Sequence, residues 1–135
     1  MIVVIDNNIV LDALLERESF NDAAEKVLLA CAGDYTGCLT ANSLTDIFYV
    51  LAKLTGAAQA KQSVRKLVEL FEIISVSETD CINALEMDLD DFEDALLLAC
   101  AEKAGVEYII SRDAKFSGEG TSVSVISPAE FLADI

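Results

Sequence analysis

Five short runs rich in Val, Ile and Leu, the first four separated by helix-patterned sequence and the last two by a polar Gly/Ser loop around Ser117 to Ser122, constrain this chain more than any other feature. Strands spaced this way cannot pair through tight hairpins. Parallel pairing needs a crossover of a dozen or more residues, usually a helix, and strands buried on both faces read as nearly continuous apolar runs. The expected class is α/β: a three-layer α/β/α sandwich around a central, mostly parallel sheet.

The strands are expected at Ile2 to Ile5, Tyr35 to Leu39, Ile73 to Val76, Tyr108 to Ile110 and Ser122 to Ile126. A short helix from about Ile9 to Leu15 and a second from about Asn21 to Ala32 come after the first; in the latter Ala24, Val27, Leu28 and Cys31 fall at helical spacing and Gly33 is the stop. After the second strand, Thr40 or Asn42 caps a helix running through Asp46 to Leu54, and another runs from about Ala57 to Phe71. Helices from about Glu78 to Met87 and Asp91 to Ala104 precede the fourth strand, and Pro128 opens the last helix.

No repeat, low-complexity tract or linker divides the 135 residues, so one domain spanning 1–135 is expected. The apolar runs are short and broken by charge, the Met1 segment lacks the pattern of a signal peptide, and nothing approaches a membrane span. A soluble, cytoplasmic protein with no membrane partner is the expectation. Cys31, Cys38, Cys81 and Cys100 show no C-x-x-C spacing and read as small core residues.

There is no histidine, which removes imidazole acid–base chemistry, Ser-His-Asp triads and His-based zinc sites. Any chemistry must run on carboxylates. The formal charge of −15 argues against broad polyanion affinity, because phosphate binding depends on Lys and Arg displacing counterions. It favours a basic partner surface, and it equally serves solubility.

Sites in open α/β sheets form at the carboxyl ends of the strands. Reading only those positions gives Asp6 after the first strand, Asp46 in the first turns of the helix after the second, Asp91 and Asp94 in "DDFEDALLLACAEKA", and Asp113 in "YIISRDAKF". Acidic residues in a first helical turn also serve the helix dipole, and Asp90 with Glu93 reads as a capping box. Asp94 lies beyond that cap on a helix that is apolar nearly all round, which puts its side chain close to buried surface. Carboxylates that converge repel: at 4 Å and an effective dielectric near 20 a close pair costs about 4 kcal/mol. Clustered Asp oxygens without His or Cys suit a hard divalent cation, Mg²⁺ or Mn²⁺.

The stretches "VIDNNIVLDAL", "SLTDIFYVLAK" and "DFEDALLLACAEKAGVEYIISRD" together resemble, in order and over nearly the whole chain, the motifs of the PIN-domain ribonucleases, the family that includes VapC-type toxins of toxin–antitoxin pairs. The resemblance implies a PIN-like fold and a Mg²⁺- or Mn²⁺-dependent endoribonuclease. It implies catalytic roles for Asp6, Asp46, Asp94 and Asp113, with Asp6, Asp94 and Asp113 as metal ligands and Asn8, Ser111 and Asp91 in support. It further implies an RNA substrate, a small antitoxin and a homodimer. Two positions depart from the pattern: Asp46 stands where many members have Glu, one methylene longer, and Asn7 stands where Thr or Ser is common. Asn7 reads equally as a cap of the first helix.

Among the nine basic residues, Lys61 and Arg65 share a helix face and are candidates to track an RNA backbone, with an ordinary solvated face as the alternative. Arg112 and Lys115 flank Asp113 and are candidates for a phosphate contact; alternatively Arg112 pairs with a nearby acid and holds the cluster together. Phe48, Tyr49 and Leu51 belong to either the core or an interface. Two further readings stand beside the nuclease: a PIN-fold module with little or no turnover that acts by binding protein or RNA, and a phosphate-transfer receiver domain. The receiver fits poorly, since no lysine comes after a strand where one is needed.

Overall fold

A computed structural model describes residues 1–135. Its five strands, β1 (Ile2–Ile5), β2 (Thr36–Thr40), β3 (Glu72–Ile74), β4 (Tyr108–Ile110) and β5 (Ser124–Ile126), form one sheet in the order β3-β2-β1-β4-β5. Every pairing is parallel. The first three connections carry six helices, α1 (Asn7–Leu14), α2 (Asn21–Ala32), α3 (Ala41–Thr55), α4 (Ala57–Leu70), α5 (Glu78–Glu86) and α6 (Phe92–Lys103); a loop without a helix joins β4 to β5, and α7 (Pro128–Ala133) comes after β5. None is long and apolar enough to cross a membrane.

Successive side chains of a strand point to opposite faces, and the two faces hold separate cores. Val3 and Ile5 pack with Leu39, Ile110 and residues of α1, α2, α3, α4 and α7; Val4 packs with Cys38, Ile109 and α6. A third cluster, Ala84, Ala95, Leu96, Ala99 and Cys100, joins α5 to α6 on that second face. The α/β/α layering results from this alternation. Gly37 permits the close seating of α2 on β2, because an added Cβ would stand 2.7 Å from Cys31 Cβ and 2.9 Å from Phe71 Cδ1.

Several boundaries differ from the sequence expectation for local reasons. Helix α1 starts at Asn7 rather than Ile9, because Asp6 occupies its N-cap and accepts the Asn7 N–H at 2.8 Å. Strand β3 is Glu72–Ile74 rather than Ile73 to Val76: it pairs with β2, which ends at Thr40 opposite Ile74, and the Ser75 carbonyl accepts from Lys103 Nζ at 2.7 Å instead. Strand β5 starts at Ser124 because the Val123 N–H is taken by Thr121 Oγ1 at 3.1 Å. Asp91, not Asp90, caps α6, accepting the Asp94 N–H at 3.2 Å, so the expected Asp90–Glu93 box does not form. Thr40 does sit at the α3 N-cap position, but its hydroxyl meets Ser43 Oγ at 2.8 Å rather than a backbone N–H. All four cysteines are free thiols, and burial pushes Cys31 up to about 12 and Cys100 to about 11.

Candidate active site at the carboxyl edge of the sheet

Strands β1 and β4 lie side by side in register, Ile5 opposite Ile110, so the residues just beyond each strand meet at the same edge. Those residues are Asp6 after β1 and Ser111 after β4. The Ser111 hydroxyl donates to Asp6 Oδ2 at 2.8 Å, and Asn8 Nδ2 reaches both Asp6 Oδ2, at 3.4 Å, and Ser111 Oγ, at 3.3 Å. The Asp113 N–H donates to Ser111 Oγ at 3.1 Å, and Asp113 Oδ1 accepts the Lys115 N–H at 3.0 Å. Asp6 is only 8% exposed. Burial raises its pKa, the hydrogen bonds from Ser111 and from the Asn7 N–H oppose that rise, and the charges of Asp113 and Asp91 add to it.

Helix α6 brings its first turn to this edge. Asp94 is half-buried, and its carboxyl is pushed up to about 6, first by burial and then by the charges of Asp91, Asp6, Asp113 and Glu93. Asp91 and Asp113 act on both Asp6 and Asp94, so the four acids share one electrostatic neighbourhood. Asp46, from the second turn of α3, joins it through Glu93: Glu93 is raised by burial and by the Asp46 charge, and it accepts from Asn7 Nδ2 at 3.2 Å. Glu93 is missed in the sequence because its spacing from Asp90 imitates a capping box. The Asn7 contact identifies it as part of this edge.

Among the basic candidates, Arg112 is engaged with protein. Its Nε and Nη2 donate to the two carboxylate oxygens of Asp12, at 2.5 and 3.1 Å. Asp12, 1% exposed in α1, is the second residue that sequence reasoning misses; its one signal is an acid inside the apolar run "IVLDAL". Lys61, Arg65 and Lys115 are exposed and form no ion pair. On the interface question, Leu51 is buried and Phe48 packs on the core, whereas Tyr49 is 61% exposed.

No three acidic side chains stand close enough together to make a finished metal cage. The donor set nonetheless fits a hydrated divalent ion: it is all oxygen, Asp6 and Asp94 are both raised, first by burial and then by acidic neighbours, and no Lys or Arg pairs with Asp6, Asp94 or Asp113. Mg²⁺ keeps several waters and takes only one or two carboxylates, so a tight three-acid cage is not required. Buried amide oxygens of Asn8 and Asn42, both at this edge, also lack a protein donor, which suits water held by such an ion.

A family model described as PIN domain matches residues 2–115. No curated protein sequence matches the chain at a significant level. Solved structures do. VapBC2 from Rickettsia felis, bound to a DNA fragment from its promoter, is 16% identical with a TM-score of 0.74, over 94% of this chain and 98% of that one. A toxin–antitoxin complex from Klebsiella pneumoniae is 22% identical with a TM-score of 0.71, over 93% and 97%. VapC20 from Mycobacterium tuberculosis, a sarcin-ricin loop cleaving toxin, is 16% identical with a TM-score of 0.70, over 90% and 98%. Identities this low carry the fold and leave function to the site.

Proposed function

The chain belongs to the PIN-domain family, and from that premise we propose that it is a Mg²⁺- or Mn²⁺-dependent endoribonuclease, the toxin of a toxin–antitoxin pair. The observation that carries the proposal is Asp94: its carboxyl is pushed up to about 6 by burial and by Asp91, Asp6, Asp113 and Glu93, with no protein cation to relieve it. A chain that keeps such repulsion at one edge pays for it in stability, and a divalent cation is the natural counter-charge. When bound, the ion supplies an activated water and neutralises charge on the scissile phosphate and leaving oxygen.

The residues divide the work. Asp6, Asp94 and Asp113 would hold the ion, and Asp46, shorter than Glu, would act through water or through Glu93. Ser111 and Asn8 fix the Asp6 carboxylate by hydrogen bonds, and Asp91 holds the first turn of α6 as its N-cap. Lys61, Arg65 and Lys115, all free of ion pairs, are the candidates to meet an RNA backbone.

The solved relatives include toxin–antitoxin complexes, and a −15 chain attracts a basic antitoxin segment. A cytoplasmic homodimer is part of the same proposal; exposed Tyr49 and Leu54 on α3 and Ile82 and Leu85 on α5 offer apolar area for it. The test incubates the purified chain with structured and unstructured RNAs, with Mn²⁺ or with chelator. Mn²⁺-dependent cutting that disappears in Asp6→Asn and Asp94→Asn is the expected result. Cutting that survives both variants overturns it, and RNA or protein binding without cutting favours the inactive-module reading, to which the short Asp46 lends support.

A further inference from the structure

A carboxylate inside an apolar helix is costly unless it is paired and hydrogen-bonded. Asp12 lies among buried Ile9, Val10, Leu11 and Ala13 in α1 and is 1% exposed. It is paired twice. Arg112 grips it with a two-nitrogen fork, Nε to Oδ2 and Nη2 to Oδ1, and Arg17 Nη1 donates to Oδ1 at 3.3 Å. The Arg112 guanidinium also covers the Phe20 ring, 4.2 Å from its centre.

Arg112 sits between Ser111 and Asp113, so the segment after β4 is tied to α1 at two levels. Ser111 binds Asp6 and Asn8 at the start of the helix, and Arg112 binds Asp12 six residues further along, about 9 Å down the axis at 1.5 Å per residue. Two anchors on one rigid element stop the segment from sliding or rotating. The α1–α2 turn is shaped around the same pair: Glu16 and Ser19 hold positive φ, 49° and 75°, on either side of Arg17 and next to Phe20. Such conformations persist in non-glycine residues only where the surroundings enforce them.

We propose that Asp12 is a positioning residue for the acidic edge: acting through Arg112, it fixes residues 111–113 and so aims the Asp113 carboxylate at the site shared with Asp6 and Asp94. This rests on the reading of those acids as a metal site. Arg112 is then a strut, its guanidinium committed to the protein rather than to a phosphate.

The experiment compares Asp12→Asn, Arg112→Gln and the double variant with Asp80→Asn. Asp80 is a control of the same kind, a carboxylate with 3% side-chain exposure paired with Lys103 at 2.6 Å, but between α5 and the far end of α6. Two quantities are read: amide hydrogen exchange of residues 111–113 in the metal-free protein, and Mn²⁺ affinity. Asp12→Asn and Arg112→Gln are each expected to speed exchange at 111–113 and to weaken Mn²⁺ binding by about tenfold, as loss of a supporting contact does. The double variant should lose no more than either alone, because the two residues act as one device. Asp80→Asn should lower the unfolding temperature and change neither quantity.

Unchanged exchange at 111–113 in Asp12→Asn, or losses that add in the double variant, overturns the proposal. If the wild type fails to bind Mn²⁺ at all, the metal reading falls, and the exchange comparison alone decides the positioning role. Should Asp12→Asn not fold, Arg112→Lys, which keeps the cation and loses the fork, carries the same exchange expectation at smaller amplitude.

Discussion

Ser111 donates its hydroxyl to Asp6 at 2.8 Å across 105 positions of sequence, joining the ends of β1 and β4. The contact exists because the two strands are parallel neighbours in register, and it places a neutral donor against a buried carboxylate. The same hydroxyl accepts from the Asp113 N–H, so one side chain orients two acids.

Replacing Ser111 with Ala removes a hydrogen bond to a charged group, an interaction of about 1.5–3 kcal/mol. Ser111→Ala is expected to lose about 2 kcal/mol of stability at neutral pH and to raise the Asp6 pKa further. The loss should shrink at a pH low enough to protonate Asp6, since a neutral carboxyl needs the donor less. Urea unfolding at the two pH values checks both statements.

The pH dependence of the metal-free protein carries the signature of Asp94. Its folded pKa, about 6, lies above the ordinary 3.8, so the folded state holds this proton more tightly than the unfolded one. The resulting stabilisation is complete below the ordinary value and is lost as pH rises through about 6. Thermal unfolding in chelator should therefore show stability falling across that window in the wild type. In Asp94→Asn the fall should be smaller.

Asp80 works in the opposite sense. The Lys103 ammonium, and then the Ser77 N–H, hold its carboxyl below the usual range, so its contribution is present above 3.8 and lost as pH falls through its folded value. Lys103→Met leaves this acid without its cation and is expected to lower the unfolding temperature by about 5 °C at neutral pH. The deficit should close in acid, as calorimetry at two pH values would show.

Gly37→Ala tests how tightly α2 sits on the sheet. The new methyl meets Cys31 and Phe71 closer than van der Waals contact allows, and overpacking of this kind costs about 1–3 kcal/mol. Chemical denaturation reads the loss directly.

Much of this arrangement is legible in the sequence, and the parts that are not have physical reasons. The alternation of apolar strands with helices determines a parallel sheet, and in such a sheet Asp6, Asp46, Asp94 and Asp113 can be found by reading the first polar positions beyond the strands and at the starts of the helices. Strand ends are less readable, because β3 stops opposite the end of β2 although Val76 lies beyond, and β5 starts only at Ser124 because Thr121 takes the Val123 N–H. Asp12 escapes notice because its partner is 100 positions away and its own surroundings are apolar. Glu93 escapes because i to i+3 spacing suits a capping box as well as it suits a side chain aimed at Asn7, and only the helix's true start at Phe92 separates the two.

In the function proposed above, acids after β1, in the first turn of α6 and after β4 form one site whose repulsion a divalent ion relieves. Titrating Mn²⁺ into the wild type, Asp6→Asn and Asp94→Asn at neutral pH, with free ion followed by electron paramagnetic resonance, decides whether it exists. Saturable binding in the wild type, weakened by about tenfold or more in each variant, is the predicted result. Wild-type protein that takes up no Mn²⁺ at millimolar concentration, or variants that bind it as the wild type does, would contradict it.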